Sequence, residues 1–81
     1  MFDLKEHVNR LVRMSDELAN LDYKISCIHS FKLITAYADM TVTDQSLQDF
    51  QLNAMESYSS NLTKRVTRLA NKIKLHLEKS Y

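Results

Sequence analysis

Two histidines have the positions in this chain that most suggest chemistry. His7 and His76 each occupy a core position of a repeating apolar pattern, one near each end of the sequence. If the chain folds back on itself halfway, the two imidazoles meet in one layer, where they can bind a metal or repel each other when protonated near about pH 6. Two imidazoles without cysteine or carboxylate support make a weak metal site. The sequence therefore predicts no metal and no other cofactor.

A second candidate group is basic. Arg65, Arg68 and Lys72 follow one another at intervals of three and four residues, which places them on one helical face. Such a stripe can follow a nucleic-acid backbone. No aromatic side chain is interleaved to stack on bases, and charged runs are more often solvated helix faces. Nucleic-acid binding by a helical dimer through these residues is the alternative functional prediction, behind protein binding.

Signatures of catalysis are missing from the sequence. The 81 residues include no glycine and no proline, and phosphate-binding loops and nucleophile elbows require glycine. There is no H-E-x-x-H, paired-cysteine or DxDxDG metal motif, and the acidic residues avoid the apolar core positions. We therefore predict a protein that is not an enzyme and has no catalytic residues.

Apolar residues recur every three or four positions, which predicts an all-α fold. In the first half, the heptad core positions are Leu4, His7, Leu11, Met14, Leu18, Leu21, Ile25 and Ile28. In the second half, they are Leu52, Met55, Ser59, Leu62, Val66, Leu69, Ile73 and His76. Leu47, Phe50 and Tyr58 are expected to broaden the second stripe. Near Lys32 the heptad frame slips by one residue, which indicates a local rewinding or a break.

These patterns predict one helical domain over residues 1–81. A helix is expected from about 3 to 40, with Asp3 as its cap, followed by a turn at about 41–43 and a helix from about 44 to 79, capped by Thr43 or Asp44. The two arms are similar in length, so they should form an antiparallel hairpin. The alternative is a three-helix bundle with a break near residue 30, where Ser30 caps the second helix.

Both apolar stripes are wider than the seam of a two-helix hairpin can cover. Two hairpins packed together would form a four-helix bundle, so a homodimer is predicted. In shape alone, the predicted hairpin resembles the plasmid copy-number regulators, with which it shares no motif. The charges are uneven: residues 33–63 carry four acidic side chains and no lysine or arginine, whereas residues 64–81 carry six basic and one acidic. The acids of the first helix are expected to lie beside this basic stretch and offset it.

Apolar residues near the predicted turn are the candidates for binding another protein. The anchors that we select are Leu33, Ile34, Tyr37, Leu47 and Phe50, with nearby aspartates setting register. The competing interpretation is that these residues form the thick end of the dimer core. The leading functional prediction is a small helical regulator or inhibitor acting through protein–protein interaction, of the type that phages and plasmids encode.

The compartment follows from what the sequence contains. The single Cys27 cannot form an intrachain disulfide, and the charged start MFDLKEH does not fit a secretory signal. No segment approaches the roughly 20 apolar residues that span a bilayer. These features predict a cytoplasmic protein without membrane insertion.

Overall fold

The computed structural model describes residues 2–79, and all its regular structure is helical. Helix α1 spans Leu4–Lys32, α2 is a single turn over Thr35–Ala38, and α3 spans Val42–Lys79. No strand occurs between residues 2 and 79. The predicted all-α class with two long helices is therefore confirmed. The third helix of a three-helix bundle is not formed, because α2 has only four residues.

Helix α1 begins at the predicted cap. Asp3 has extended backbone angles, and its Oδ1 accepts a hydrogen bond from the amide of Glu6 over 3.1 Å. This bond satisfies one of the first-turn N–H groups that have no partner within the helix. Phe2 stacks on His7, and these are the two positions that pair in a hydrophobic staple. Cap and staple together fix where the chain enters α1.

The predicted helix to about residue 40 is wrong, because the chain leaves the helical path at Leu33 and Ile34. The amide of Leu33 donates to the carbonyl of Ser30, and that of Ile34 donates to the carbonyl of Phe31, each over 3.1 Å. These short-range bonds tighten the last turn of α1. Ile34 then has an extended backbone. The break lies where the heptad frame slips and follows Ser30, which therefore caps no second helix.

Helix α3 begins at Val42, before the predicted start at about residue 44. The Oγ1 of Thr41 accepts a hydrogen bond from the amide of Asp44 over 3.1 Å, and its carbonyl accepts one from the amide of Gln45. Thr41 is therefore the cap, instead of Thr43 or Asp44. The physical reason is that the Thr41 hydroxyl satisfies a first-turn N–H group that has no partner within the helix.

The core is one apolar seam between α1 and α3. Its buried side chains are Met14, Leu52, Leu62, Leu69 and Ile73, and Leu62 is completely inaccessible to solvent. Every heptad core position predicted in either half of the chain is buried or half-buried. No polar side chain is fully buried among residues 2–79. Apolar packing and the hydrophobic effect therefore hold this seam.

Polar contacts flank the seam. Side-chain hydrogen bonds join α1 to α3 between Tyr58 and Glu17, Ser59 and Asp22, and His29 and Glu56, and Lys32 pairs with Asp49. Near the chain ends, the ring of Phe2 stacks on that of His76. The start of α1 thus contacts the end of α3, and the end of α1 contacts the first half of α3. The chain is a rod of 60 × 16 × 16 Å.

Removing the centre of the seam should destabilise the chain. We expect Leu62→Ala to lower the free energy of unfolding by about 2–5 kcal/mol, because it opens a cavity at a fully buried position. Leu75→Ala removes the same atoms from an exposed site on α3 and should change this free energy by no more than about 0.5 kcal/mol. Urea unfolding followed by far-UV circular dichroism checks both. Equal effects of the two substitutions would contradict the assigned core.

Candidate functional site

Most of the predicted partner anchors are exposed at the end of the rod where the chain turns. Leu33 is 88% exposed and Phe50 is 76% exposed, and Ile34 and Leu47 are exposed as well. The fifth anchor, Tyr37, is half-buried. Val42, which the sequence analysis did not select, is also exposed. We use the name apolar corner for the exposed group Leu33, Ile34, Val42, Leu47 and Phe50.

On α3, the apolar corner lies opposite the seam. Leu52 is buried in the seam, and Phe50 precedes it by two residues, which is a rotation of about 200° around the helix. Leu47 lies three residues before Phe50 and shares its face. Leu47 and Phe50 therefore point away from α1, so the expectation that they broaden the inward stripe is wrong. Tyr58, expected in the same stripe, is exposed too.

A polar tie fixes the segment that follows α1. The Nζ of Lys32 lies 2.8 Å from one carboxylate oxygen of Asp49. The hydroxyl of Tyr37 donates to the same carboxylate, at 3.0 and 3.1 Å from its two oxygens. One aspartate on α3 thereby joins the last residue of α1 to the α2 turn. Leu33 and Ile34 lie between these two attachment points, which limits how far they can move.

Further contacts with Tyr37 complete the attachment. The side-chain amide of Gln45 donates to the carbonyl of Tyr37 over 2.8 Å. The ring of Phe31 meets the ring of Tyr37 edge to face, with centroids 6.2 Å apart. The ammonium of Lys32 lies 5.5 Å from the centroid of the same ring, within the range of a cation–π contact. Tyr37 thus attaches the segment after α1 to α3. The other four predicted anchors are exposed to solvent.

The tie changes the acidity of its three members. The hydrogen bond to Lys32, followed by the one from Tyr37, lowers the pKa of Asp49. The bond to Asp49 raises the pKa of Lys32. Partial burial, followed by the bond to Asp49, raises the pKa of Tyr37. All three directions favour the charged lysine–aspartate pair with a protonated tyrosine.

The predicted basic residues lie at a different place on the rod. Arg65, Arg68 and Lys72 line a groove of about 220 Å³ between α3 and α1. Arg10 from α1, which the sequence analysis did not single out, lines the same groove. Among residues 2–79, Lys32 forms an ion pair with Asp49, and His29 contacts Glu56 in a pair that is ionic only when the imidazole is protonated; both lie toward the turn. The expected offset by acids of the first helix therefore includes no ion pair.

The two histidines are brought together with an aromatic ring between them. The centroid of Phe2 lies 4.1 Å from that of His7 and 4.2 Å from that of His76, with both imidazoles stacked on the phenyl ring. The Nδ1 of His7 also donates to the carbonyl of Asp3 over 2.6 Å. Across residues 2–79, no three histidine, cysteine, aspartate or glutamate side chains form a cluster suited to a metal ion.

The residues that sequence analysis missed carried weaker signals. Phe2 occupies the staple position before a helix cap, which could have indicated its contact with His7. Arg10 gave no signal on its own, because only the fold brings it beside residues 65–72. The single cysteine, Cys27, is exposed. It lies nine residues after the core position Leu18, which places it on the far side of α1.

Comparison with known proteins adds no relative: no protein-family model, no curated protein and no solved structure matches this chain. Within residues 2–79, none of the helices combines the length and apolarity needed to cross a membrane.

Acid should release the tie at the corner. Since the pKa of folded Asp49 lies below its value in the unfolded chain, about 3.9, the contribution of the tie to stability is present above that pH and is lost as the pH falls through the folded value. We expect the ring resonances of Tyr37 to shift in an NMR titration over this acidic range. Asp49→Asn should abolish the shift, and Asp16→Asn, at an exposed position of α1, should retain it. An unchanged titration in Asp49→Asn would contradict the assignment.

Proposed function

We propose that this protein is a non-enzymatic helical regulator or inhibitor that acts by presenting its apolar corner to another protein. The observation that carries the proposal is the exposure of Leu33, on the segment whose two ends Asp49 binds, together with that of Phe50, which follows Asp49 on α3. Exposed apolar side chains that occur singly are ordinary on protein surfaces. A group of five at one end of a narrow rod is typical of an interaction surface.

The tie is what makes the corner suitable for binding. A flexible apolar loop loses conformational entropy when a partner orders it, and this loss weakens the complex. Lys32, Tyr37 and Gln45 hold the corner by hydrogen bonds to Asp49 and to the backbone before any partner arrives. Less ordering remains to be done on binding. The corner therefore fits the role of a rigid anchor for a complementary groove.

The charges beside the corner indicate the chemistry of the partner. Asp39 and Asp44 are exposed in the same stretch of chain as the corner, and residues 33–63 contain no lysine or arginine. An apolar groove with basic residues at its rim would complement this surface. The binding mode would be insertion of the corner into that groove, or completion of a helical bundle, with the aspartates setting register.

We further propose that the chain folds as an antiparallel hairpin and forms a homodimer. The solvent-accessible surface is 6310 Å², whereas a compact monomer of this size exposes about 5,000 Å². The surplus is larger than the roughly 800 Å² that each partner contributes to a standard interface. Val12 and Tyr23 are exposed on one face of α1, eleven residues or about three turns apart. Pairing of this face with a second copy would give the four-helix bundle.

Removing two corner anchors should abolish partner binding. We expect Leu33→Ser combined with Phe50→Ser to weaken the complex at least about 100-fold, because central anchors contribute about 2 kcal/mol or more each. Affinity capture from cells of the source organism identifies proteins bound by the wild type, and titration calorimetry with the purified partner measures the change. The matched control is Leu75→Ser with Leu77→Ser, which removes exposed leucines at the other end of α3. Equal losses in both variants would argue against the corner.

The dimer should depend on α1 and not on the corner. In sedimentation equilibrium at concentrations up to on the order of 100 µM, we expect a species of twice the chain mass, held by an interface of standard size. Val12→Ser with Tyr23→Ser should shift it toward monomer, and the corner variant should remain dimeric. A monomer at every concentration would contradict the dimer. A monomeric corner variant would instead assign the corner to the dimer core.

A further inference from the structure

The groove that Arg10 shares with α3 concentrates positive charge away from the corner. Its walls carry three guanidinium groups and one ammonium group, contributed by both long helices, and no acidic residue lines it. We define the basic groove by its lining residues Arg10, Met14, Arg65, Arg68, Leu69 and Lys72. We propose that the basic groove binds the phosphodiester backbone of a nucleic acid, without reading its bases. This function is separate from protein binding at the corner.

The first support is that the four cations are not neutralised by ion pairs. Neither ion pair among residues 2–79 involves a residue of the basic groove. The acids of α1 do not pair with these cations: Asp3 caps the helix, and neither Glu6 nor Asp16 forms an ion pair. Glu17 accepts a hydrogen bond from Tyr58, and that hydroxyl is the polar group that Arg65 contacts. Like charges held together repel one another and attract anions from solution. An anionic ligand would relieve this repulsion.

The second support is the spacing of the cations on α3. The seven residues from Arg65 to Lys72 correspond to a rise of about 10.5 Å along the helix. One strand of a nucleic acid rises about 3.4 Å per phosphate, so this length matches about three nucleotides. Arg10 stands on the opposite wall, so cations flank the groove on both sides. Arginine is also well suited to phosphate, because its planar fork can donate two parallel hydrogen bonds.

The floor of the groove favours a nucleic acid over an acidic protein helix. Met14 and Leu69 are only 7% and 8% exposed, so they offer little apolar area. A protein partner gains most of its affinity from apolar and aromatic anchors buried in pockets. A phosphodiester backbone requires only cations, whose binding releases the counterions of the phosphates. Within residues 2–79, no aromatic ring lines the groove to stack on bases, and Tyr58, which contacts Arg65, is bound to Glu17. We therefore expect binding without sequence preference.

The test is fluorescence anisotropy with labelled single strands and duplexes of about 20 nucleotides, measured between about 50 and 200 mM salt. With four phosphate contacts to a single strand, the wild type should bind about 50-fold more weakly at the higher salt concentration. Arg10→Ala, Arg68→Ala and Lys72→Ala combined should bind more weakly at low salt and retain only about a 3-fold salt dependence. Circular dichroism checks that this variant is folded, and Arg68→Ala alone replaces it if it is not.

The matched control is the combination Lys5→Ala, Arg13→Ala and Lys24→Ala, which removes the same charge from α1 outside the groove. We expect this variant to bind like the wild type, and the Leu33→Ser with Phe50→Ser variant to do the same. No binding by the wild type, or equal losses in the groove and control variants, would overturn the proposal. Competition by polyglutamate of matched length and charge that equals competition by unlabelled oligonucleotide would also overturn it, in favour of an acidic protein ligand.

Discussion

The apolar seam between α1 and α3 is the contact on which the rest of this structure depends. Its centre, Leu62, is fully buried, and its buried members all lie on heptad core positions. Two helices can share only one such seam, so the opposite face of each remains in contact with solvent. The molecule therefore has a thin core and two long outer faces. The apolar corner and the basic groove are both consequences of this geometry.

The two ends of the rod present different surfaces. Toward the turn, Lys32 and His29 contact acids of α3, and the five apolar side chains of the corner are exposed. Toward the chain ends, Arg68 and Lys72 face Arg10 across the groove without such pairs. Buried apolar packing dominates the stability of both regions, because exposed ion pairs contribute little. The charges are consequently available to set specificity and register instead of holding the fold.

Features that depend on residues close in sequence were predictable, whereas features that depend on residues far apart in sequence were not. The heptad positions were predictable because burial on a helix repeats at a fixed period, and Asp3 was predictable because capping is local. The frame slip near Lys32 indicated either a rewinding or a break, and the heptad pattern could not decide between them, because the break at Leu33 also involves the contacts of Asp49, 16 residues later, with Tyr37 and Lys32. The place of Arg10 in the groove was not predictable either, because residues 65–72 lie far from it in the sequence. The exposure of Phe50 depends on the exact rotation of α3 against α1, to which an apolar residue type gives no guide.

The absence of glycine explains why the connection between α1 and α3 is long. Tight reversals commonly place a residue in the left-handed region, which glycine tolerates best, and no described residue of this chain has a positive φ. The turn instead uses the nine residues between Lys32 and Val42, including the single helical turn of α2. A longer connection has more backbone to order, which the hydrogen bonds of Tyr37 and Gln45 accomplish. It also leaves apolar residues at the tip with no second element to cover them, so the composition of the chain itself produces the surface proposed to bind a partner.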